Sequence, residues 1–269
     1  MTQTQRRLFL IQELLREQSR YAPITIPAEE QEQRRLLRSL LNVRRPGPVD
    51  RGFLAVQDAY LQEEIARKGV FDYSDLTPVG RGIYLWKGDI TTLRCDAIVN
   101  AANRGLTGCY IPCHGCIDNC IHTYAGVQLR LACAEQMARQ GHGEETGTAK
   151  LTPAFNLPCQ YILHTVGPII EHKVTQNDER LLASCYCACL ALAQENHIQS
   201  VAFCCISTGE FHFPNRLAAK IAVRTVQHFL TQTNTSMEVI FNVFKDLDEA
   251  IYRDLLGADQ TTETGVRGG

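Results

Sequence analysis

The 269-residue chain has no apolar run of the roughly 18 to 20 residues that a membrane span needs. Its opening stretch, MTQTQRRLFLIQELLREQ, returns to charge directly after LFLI instead of extending into an apolar leader. A soluble, cytoplasmic protein is expected. An excess of positive charge is missing as well: 27 basic side chains stand against 29 acidic ones, for a net charge of -2. No field draws such a chain onto phosphate backbones, so neither nucleic acid nor membrane is an expected partner. Internal repeats and long low-complexity segments are also lacking, which excludes repeat architectures.

Twelve cysteines are present, without the regular spacing of a small secreted disulfide scaffold and in a chain far larger than such scaffolds. Reduced thiols follow. Cys204 and Cys205 in VAFCCIS, and Cys185, Cys187 and Cys189 in LLASCYCACLALAQE, read as small buried apolar residues.

Two regions differ in periodicity. Residues 1–75 carry helical spacing at Leu8, Ile11, Leu14 and Leu15, then at Leu36, Leu37, Leu40 and Leu41, and then at Phe53, Tyr60, Leu61 and Ile65. NVRRPGPVDRG separates the second segment from the third. No cluster of chemistry-bearing residues occurs here, so a helical extension packed on the main domain is expected. From Ile83 onward, β-rich runs (GIYLWKGDI, CDAIVNAAN, GTAKLTPAF, YILHTVGP, VAFCCIS, MEVIFNVF) alternate with helical segments at about 118–140, 178–197, 214–231 and 246–256. This predicts an α/β domain over 76–257, with helices on both faces of a sheet, followed by a flexible tail, 258–269. Ligands of such folds bind beyond the carboxyl ends of strands, which directs attention to the loops after AIVN and FCCI.

The first loop, NAANRGLTGCY, offers Asn100 and Asn103, each with a donor and an acceptor suited to vicinal hydroxyls. The second, ISTGEFHFPNR, turns successive amides of Ser207, Thr208, Gly209, Glu210 and Phe211 toward one spot, a concavity suited to phosphate. Between them lies GCYIPCHGCIDNCIHTYAG, with four cysteines, two histidines and one aspartate. By spacing alone Cys109, Cys113, Cys116, Cys120, His114 and His122 are all candidate metal ligands, and Cys113 with Cys116 forms a C-x-x-C pair open to redox use.

WKGDIT, DAIVNAAN, CIDNCIHTYAG, TGTAKLTPAFNLPCQYILHTVGP and CISTGEFHFP together resemble, in order and approximate spacing, the macrodomain family of ADP-ribose-binding α/β/α folds. The resemblance covers residue 83 to about 255 and is greatest to the hydrolase branch, which carries a glycine-rich run and then VDGAIH where this chain has CIDNCIH. It implies a three-layer fold with a central mixed sheet. It also implies that Asp89 and Ile90 meet the adenosine end of ADP-ribose, that Ser207 to Phe211 hold the diphosphate and distal ribose, and that Asn103 bonds distal-ribose hydroxyls.

Where ordinary relatives have consecutive glycines, this chain has GCYIPCHGC, which is similar to the zinc-containing macrodomains of bacterial pathogens and fungi. That pattern implies one zinc ion on Cys109, His114 and Cys116, with the fourth tetrahedral position open; a structural zinc using a further cysteine is the alternative. Asp118 falls at a helix start, where it could cap the helix, and it also matches the aspartate implicated in water activation. The resemblance implies a zinc-dependent hydrolase removing mono-ADP-ribose from protein side chains, O-linked and on aspartate. Its implied partners are a sirtuin-type ADP-ribosyltransferase and a lipoyl carrier related to the glycine cleavage H protein. A pure ADP-ribose-binding module and an O-acetyl-ADP-ribose deacetylase share the same pocket. His122 and Cys120 are assigned to packing.

Overall fold

The computed structural model describes residues 1–18, 21 and 23–263. Three helices come first: α1 (Gln3–Arg16), α2 (Glu30–Val43) and α3 (Arg51–Lys68). Thr2 and Gln5 close a capping box at α1, while the Asp50 carboxylate takes the amides of Gly52 and Phe53 at the start of α3. Their apolar faces form a core of their own, built on Leu10, Ile11, Leu37, Leu40, Phe53 and Tyr60. Arg7, only 2 % exposed, is held in this bundle by Gln33 (3.0 Å) and Glu30 (3.1 Å).

The second unit contains strands β1 (Phe71–Asp72), β2 (Ile83–Lys87), β3 (Leu93–Arg94), β4 (Ala97–Ala101), β5 (Ala149–Pro153), β6 (Tyr161–Thr165), β7 (Ser200–Phe203) and β8 (Glu238–Val243). The two shortest, β1 and β3, pair with each other, and the rest form one sheet in the order β2-β8-β7-β4-β6-β5. All neighbours in that sheet are parallel except β5 and β6. Central strands such as β4 and β7 are buried along their length, as a sheet covered on both faces requires.

Helices α4 (Ile117–Ala125) and α5 (Val127–Gln140) lie between β4 and β5, α6 (Gln176–Glu195) joins β6 to β7, α7 (Asn215–Thr233) joins β7 to β8, and α8 (Asp246–Glu263) follows β8. The chain moves from β4 out to the edge strand β5, doubles back into β6 and then returns across β4 to β7. The two parallel crossovers, β6 to β7 and β7 to β8, run in the same direction along the sheet, so right-handedness places α6 and α7 together on one face. The reversal occurs beside β4, and a crevice opens at the carboxyl ends of β4 and β7.

Four details depart from the sequence expectations. The helix expected over 118–140 is two helices, broken at Gly126, whose φ is 99° and where an added Cβ would lie 2.6 Å from Gln128 Oε1 and 2.7 Å from Gln57 Nε2. Cys187 is exposed, because helical geometry puts Cys185 and Cys189 on the buried face of α6 and Cys187 on the opposite one. Cys205 is only partly buried and borders the crevice. Finally, α8 continues past the expected tail boundary to Glu263, while residues 264–269 lie outside the described residues.

Candidate active site

The crevice is a cleft of about 540 Å³. Asp89 and Ile90, Asn103 and Asp118, Ser207 to Phe211, and Cys109, His114 and Cys116 all line it. The residues assigned to ADP-ribose, metal and water activation thus border one cavity, whereas Asn100, also expected to meet vicinal hydroxyls, does not: it is wholly buried and faces Asp118 and His164.

Its floor comes from the two loops that follow β4 and β7. After β7, Ser207 adopts φ 64° and is buried, with its Oγ unpartnered. Gly167 makes this approach possible, since a Cβ there would lie 2.0 Å from that Oγ. Phe213 donates its amide to Ser207 O (2.9 Å) and His212 donates to Gly209 O (3.1 Å), which draws the loop into a tight arc. Among the described residues the amides of Gly209, Glu210 and Phe211 meet no protein acceptor. Successive free amides on such an arc form a cradle for an anion. Asp89 caps the 3-10 turn Ile90–Thr92 by accepting from Thr91 N and Thr91 Oγ1, and its second oxygen takes Lys68 Nζ of α3 at 2.8 Å. Burial works against charge on Asp89, but Lys68 and Thr91 together hold its carboxyl below the usual range.

Asp118 is the second residue of α4; the helix cap is Cys116, whose Sγ accepts the Asn119 amide at 3.4 Å. Asp118 is therefore free of the capping duty allowed for it and turns inward, 5 % exposed. Asn100 Nδ2 donates to its Oδ1 (2.8 Å), Asn103 Nδ2 donates to its Oδ2 (3.3 Å), and His122 Nε2 lies 3.5 Å from Oδ1. Burial pushes the Asp118 carboxyl up to about 6, against the opposing pull of Asn100 and Arg130. Behind it, burial keeps His122 neutral and holds His164 down at about 3. Asn100 and Thr152 engage the two ring nitrogens of His164 (3.1 and 2.9 Å). His164, through Asn100, is thus part of the support beneath Asp118, a role that spacing did not suggest, whereas His122, with no hydrogen-bond partner on either ring nitrogen, packs there as expected.

The donor atoms of Cys109, His114 and Cys116 all lie within 4.8 Å of one another, with Cys109 Sγ 3.4 Å from His114 Nδ1. Burial pushes the Cys116 thiol up to about 12, and Cys109 and Asp118 add to this by opposing a second negative charge nearby. Two thiol sulfurs and an imidazole nitrogen converging at a half-buried spot fit a thiophilic cation such as zinc, which would offset that repulsion. The donor atoms of a second, buried group, His122, Cys133 and His164, also lie within 4.8 Å of one another. Cys113 points elsewhere: its Sγ lies 3.2 Å from Ser39 Oγ and 3.4 Å from Arg35 O, both on α2. It is absent from either donor set, and the C-x-x-C pair does not face one target.

The end of β8 and the start of α8 supply Asn242, Phe244, Lys245 and Asp248 to the same cleft. The sequence reading missed them. The rule that singled out the loops after β4 and β7 applies equally after MEVIFNVF and would have found them.

A doubly covered mixed sheet with its cleft at the switch point, an amide cradle and a buried aspartate defines the class. The macro domain family matches over residues 99–222, and the chain belongs to that family. It is 58 % identical over 260 residues to the protein-ADP-ribose hydrolase of Treponema medium, covering 95 % of this chain and 100 % of that one. Against the protein-ADP-ribose hydrolase of Staphylococcus aureus strain MSSA476 it is 48 % identical over 253 residues, covering 93 % and 95 %. Among solved structures, the Trypanosoma brucei macrodomain in complex with ADP-ribose superposes with a TM-score of 0.64 at 29 % identity, over 82 % of this chain and 95 % of that one. The Oceanobacillus iheyensis macrodomain with MES bound gives 0.61 at 37 % identity, over 66 % and 92 %. No helix among the described residues is long and apolar enough to cross a membrane.

Proposed function

We propose that this protein is a cytoplasmic, zinc-dependent hydrolase that releases mono-ADP-ribose from modified proteins, acting on an ester-type adduct to an aspartate side chain. The observation that carries the reading is the adjacency of two kinds of chemistry on one cleft. Cys116 caps the helix on which Asp118 turns inward, and Cys109 and His114 converge on Cys116. The names of the relatives at 58 % and 48 % identity support the hydrolytic assignment.

In this reading Asp89 and Ile90 meet the adenosine, and the amides of Gly209, Glu210 and Phe211 hold the diphosphate. Phe211 walls the distal ribose, and Asn103 bonds its hydroxyls. Cys109, His114 and Cys116 hold the zinc ion, which, when bound, supplies Lewis acidity and a fixed point for orienting oxygen ligands. Asp118 holds a water by hydrogen bond and takes its proton as the water oxygen bonds to the ribose carbon bearing the protein oxygen. The bond from that carbon to the carboxylate oxygen breaks and the side-chain carboxylate departs with its electron pair. A carboxyl group raised to about 6 is still ionised in the main at neutral pH and is a better base than an ordinary aspartate. Asn100 and Asn103 fix its two oxygens, so little reorganisation is needed.

The resemblance to zinc-containing macrodomains further points to a lipoyl carrier related to the glycine cleavage H protein as substrate, with a sirtuin-type ADP-ribosyltransferase as the enzyme that modifies it. The test is incubation of the purified protein with an aspartyl mono-ADP-ribosylated carrier, following free ADP-ribose, with elemental analysis of the same sample. Release in catalytic excess, with about one zinc per chain, is expected. Binding of modified carrier without release at stoichiometric enzyme would leave only a binding module. Full activity in a demonstrably zinc-free sample removes the metal from the mechanism, and unfolding on metal removal makes it structural.

A further inference from the structure

The loop Cys109–Cys116 has few internal means of holding its shape. His114 N donates to Ile111 O at a long 3.3 Å, and Cys113 sits at φ 53°, in the left-handed region that a non-glycine side chain enters only when its surroundings require it. Those surroundings come from α2, more than 70 residues earlier in the chain. Arg38 Nη2 donates to the backbone carbonyl of His114 (2.8 Å) and to Asn119 Oδ1 (2.9 Å). Asn119 is wholly buried, and its Nδ2 donates to Ile111 O (3.0 Å) and Cys109 O (3.5 Å), while its own amide donates to Cys116 Sγ. One turn further along α2, Asn42 Oδ1 accepts the Cys113 amide (2.9 Å), and Asn42 Nδ2 donates to Thr123 Oγ1 on α4 (2.9 Å).

We infer that the helical extension is a working part of the site, with Arg38 and Asn42 acting as positioning residues that hold Cys109, His114 and Cys116 in the arrangement that takes the metal. The inference rests on the metal reading above. Its physical basis is a short chain of contacts. Arg38 reaches the backbone of one ligand directly and, through Asn119, the backbone at Cys109 and the sulfur of Cys116. Asn42 pins the strained residue between them. Without these anchors the three donors sample a wider range of separations, and binding the ion must then order them. Both bonds leave the one planar Nη2, whose two hydrogens point in fixed directions on a guanidinium, whereas a lysine ammonium at the same place lacks that geometry and holds the two acceptors less well.

The test uses full-length protein stripped of metal and titrated with zinc against a chromogenic chelator, together with affinity for free ADP-ribose and with steady-state release. For Arg38→Met and Asn42→Ala, zinc affinity should fall by roughly 10- to 100-fold and kcat at limiting zinc should fall with it. KM for modified carrier and the affinity for free ADP-ribose should stay within about twofold of the native protein, a difference well under 1 kcal/mol. Arg38→Lys should recover part of the zinc affinity. Arg7→Met, which removes a buried partner of Gln33 in the same bundle without touching the loop, should lower stability and leave zinc affinity unchanged. Zinc affinity within about twofold of native in both Arg38→Lys and Asn42→Ala overturns the inference even if Arg38→Met does not fold. So does an equal loss in Arg7→Met, because the extension would then act only through general stability. A native protein that binds no zinc removes the metal reading itself and this inference with it, and is recognised because the failure appears before any substitution is made.

Discussion

Glu210 Oε1 lies 3.5 Å from His114 Nε2, so the amide-cradle loop after β7 reaches across the cleft to the outer nitrogen of a histidine whose inner nitrogen faces Cys109. A carboxylate on the far nitrogen of a ligating imidazole fixes the ring and its tautomer. Glu210 is itself mostly exposed, so its hold on His114 is a weak one. Glu210→Gln should therefore lower zinc affinity by less than ~10-fold, whereas His114→Ala should abolish binding at the same concentrations. Parallel chelator competition on the two variants checks this ordering, and an equal effect from both would contradict it.

Asp118→Asn keeps the shape but removes the base, and its amide NH2 replaces one of the two oxygens that accept from Asn100 and Asn103. The rate of ADP-ribose release should fall by roughly 10² to 10⁴-fold. Thermal stability should change little, because relief of the buried charge is offset by an amide donor left facing the Asn100 or Asn103 donor. Binding of free ADP-ribose, measured calorimetrically, should persist. Loss of binding together with rate would place Asp118 in recognition instead.

Gly108 has φ 85°, and a Cβ on it would stand 2.9 Å from His122 Cγ and 3.0 Å from Arg130 Nη2. His122 is fully enclosed and cannot swing aside. Gly108→Ala should cost about 1 to 3 kcal/mol through backbone strain and overpacking. A lowered urea midpoint at unchanged slope is the expected signature. Because Gly108 O also accepts from Asn103 Nδ2, activity should drop by more than the loss of folded protein explains.

Glu144, like Asp89, contributes to the pH dependence of stability. Burial opposes its charge, yet Thr148, Gln140 and Lys150 together hold its carboxyl below the ordinary value of 4.5. A carboxyl lowered by folding adds stability that is present above the unfolded value and is lost as pH falls through the folded one. The native protein should thus lose stability on acidification from below about pH 5. Glu144→Gln should be less stable at neutral pH and should show a flatter acid limb in urea midpoints taken from pH 7 to pH 3. Parallel acid limbs would show that Glu144 contributes nothing to the dependence.

The alternation of strands and helices was readable because burial on a covered sheet imposes it directly on the sequence; β2, β4, β5, β6 and β8 fall inside the runs that predicted them, and β7 begins one residue before its run. Asp118 and the two loops were readable for a related reason, since each follows a recognisable strand or opens a recognisable helix. The division of labour among the cysteines was not. Cys113 and Cys116 look alike in sequence; what separates them is a left-handed residue and an amide taken by Asn42, 71 positions away. The break at Gly126 was hidden for the same reason, being enforced by Gln57 from α3. His164 looked isolated because its partners Asn100 and Thr152 come from neighbouring strands, which pairing alone brings together. Local chemistry was legible in this chain, whereas contacts between its two cores were not.

Those two cores meet at a seam that runs directly under the cleft. Arg130 of α5 gives one Nη1 to the carbonyls of Leu41, Asn42 and Arg44, at the very end of α2, while its guanidinium lies over the Tyr110 ring in the cysteine loop. Lys68 at the end of α3 reaches Asp89, which also lines the cleft. A graft that moved residues 76–257 onto another scaffold would carry every group that faces the cavity and still arrive with both of these contacts missing. The smallest transplantable version of this site is accordingly the two bodies together, and chimeras between relatives should exchange α2 and the loop Cys109–Asn119 as one cassette.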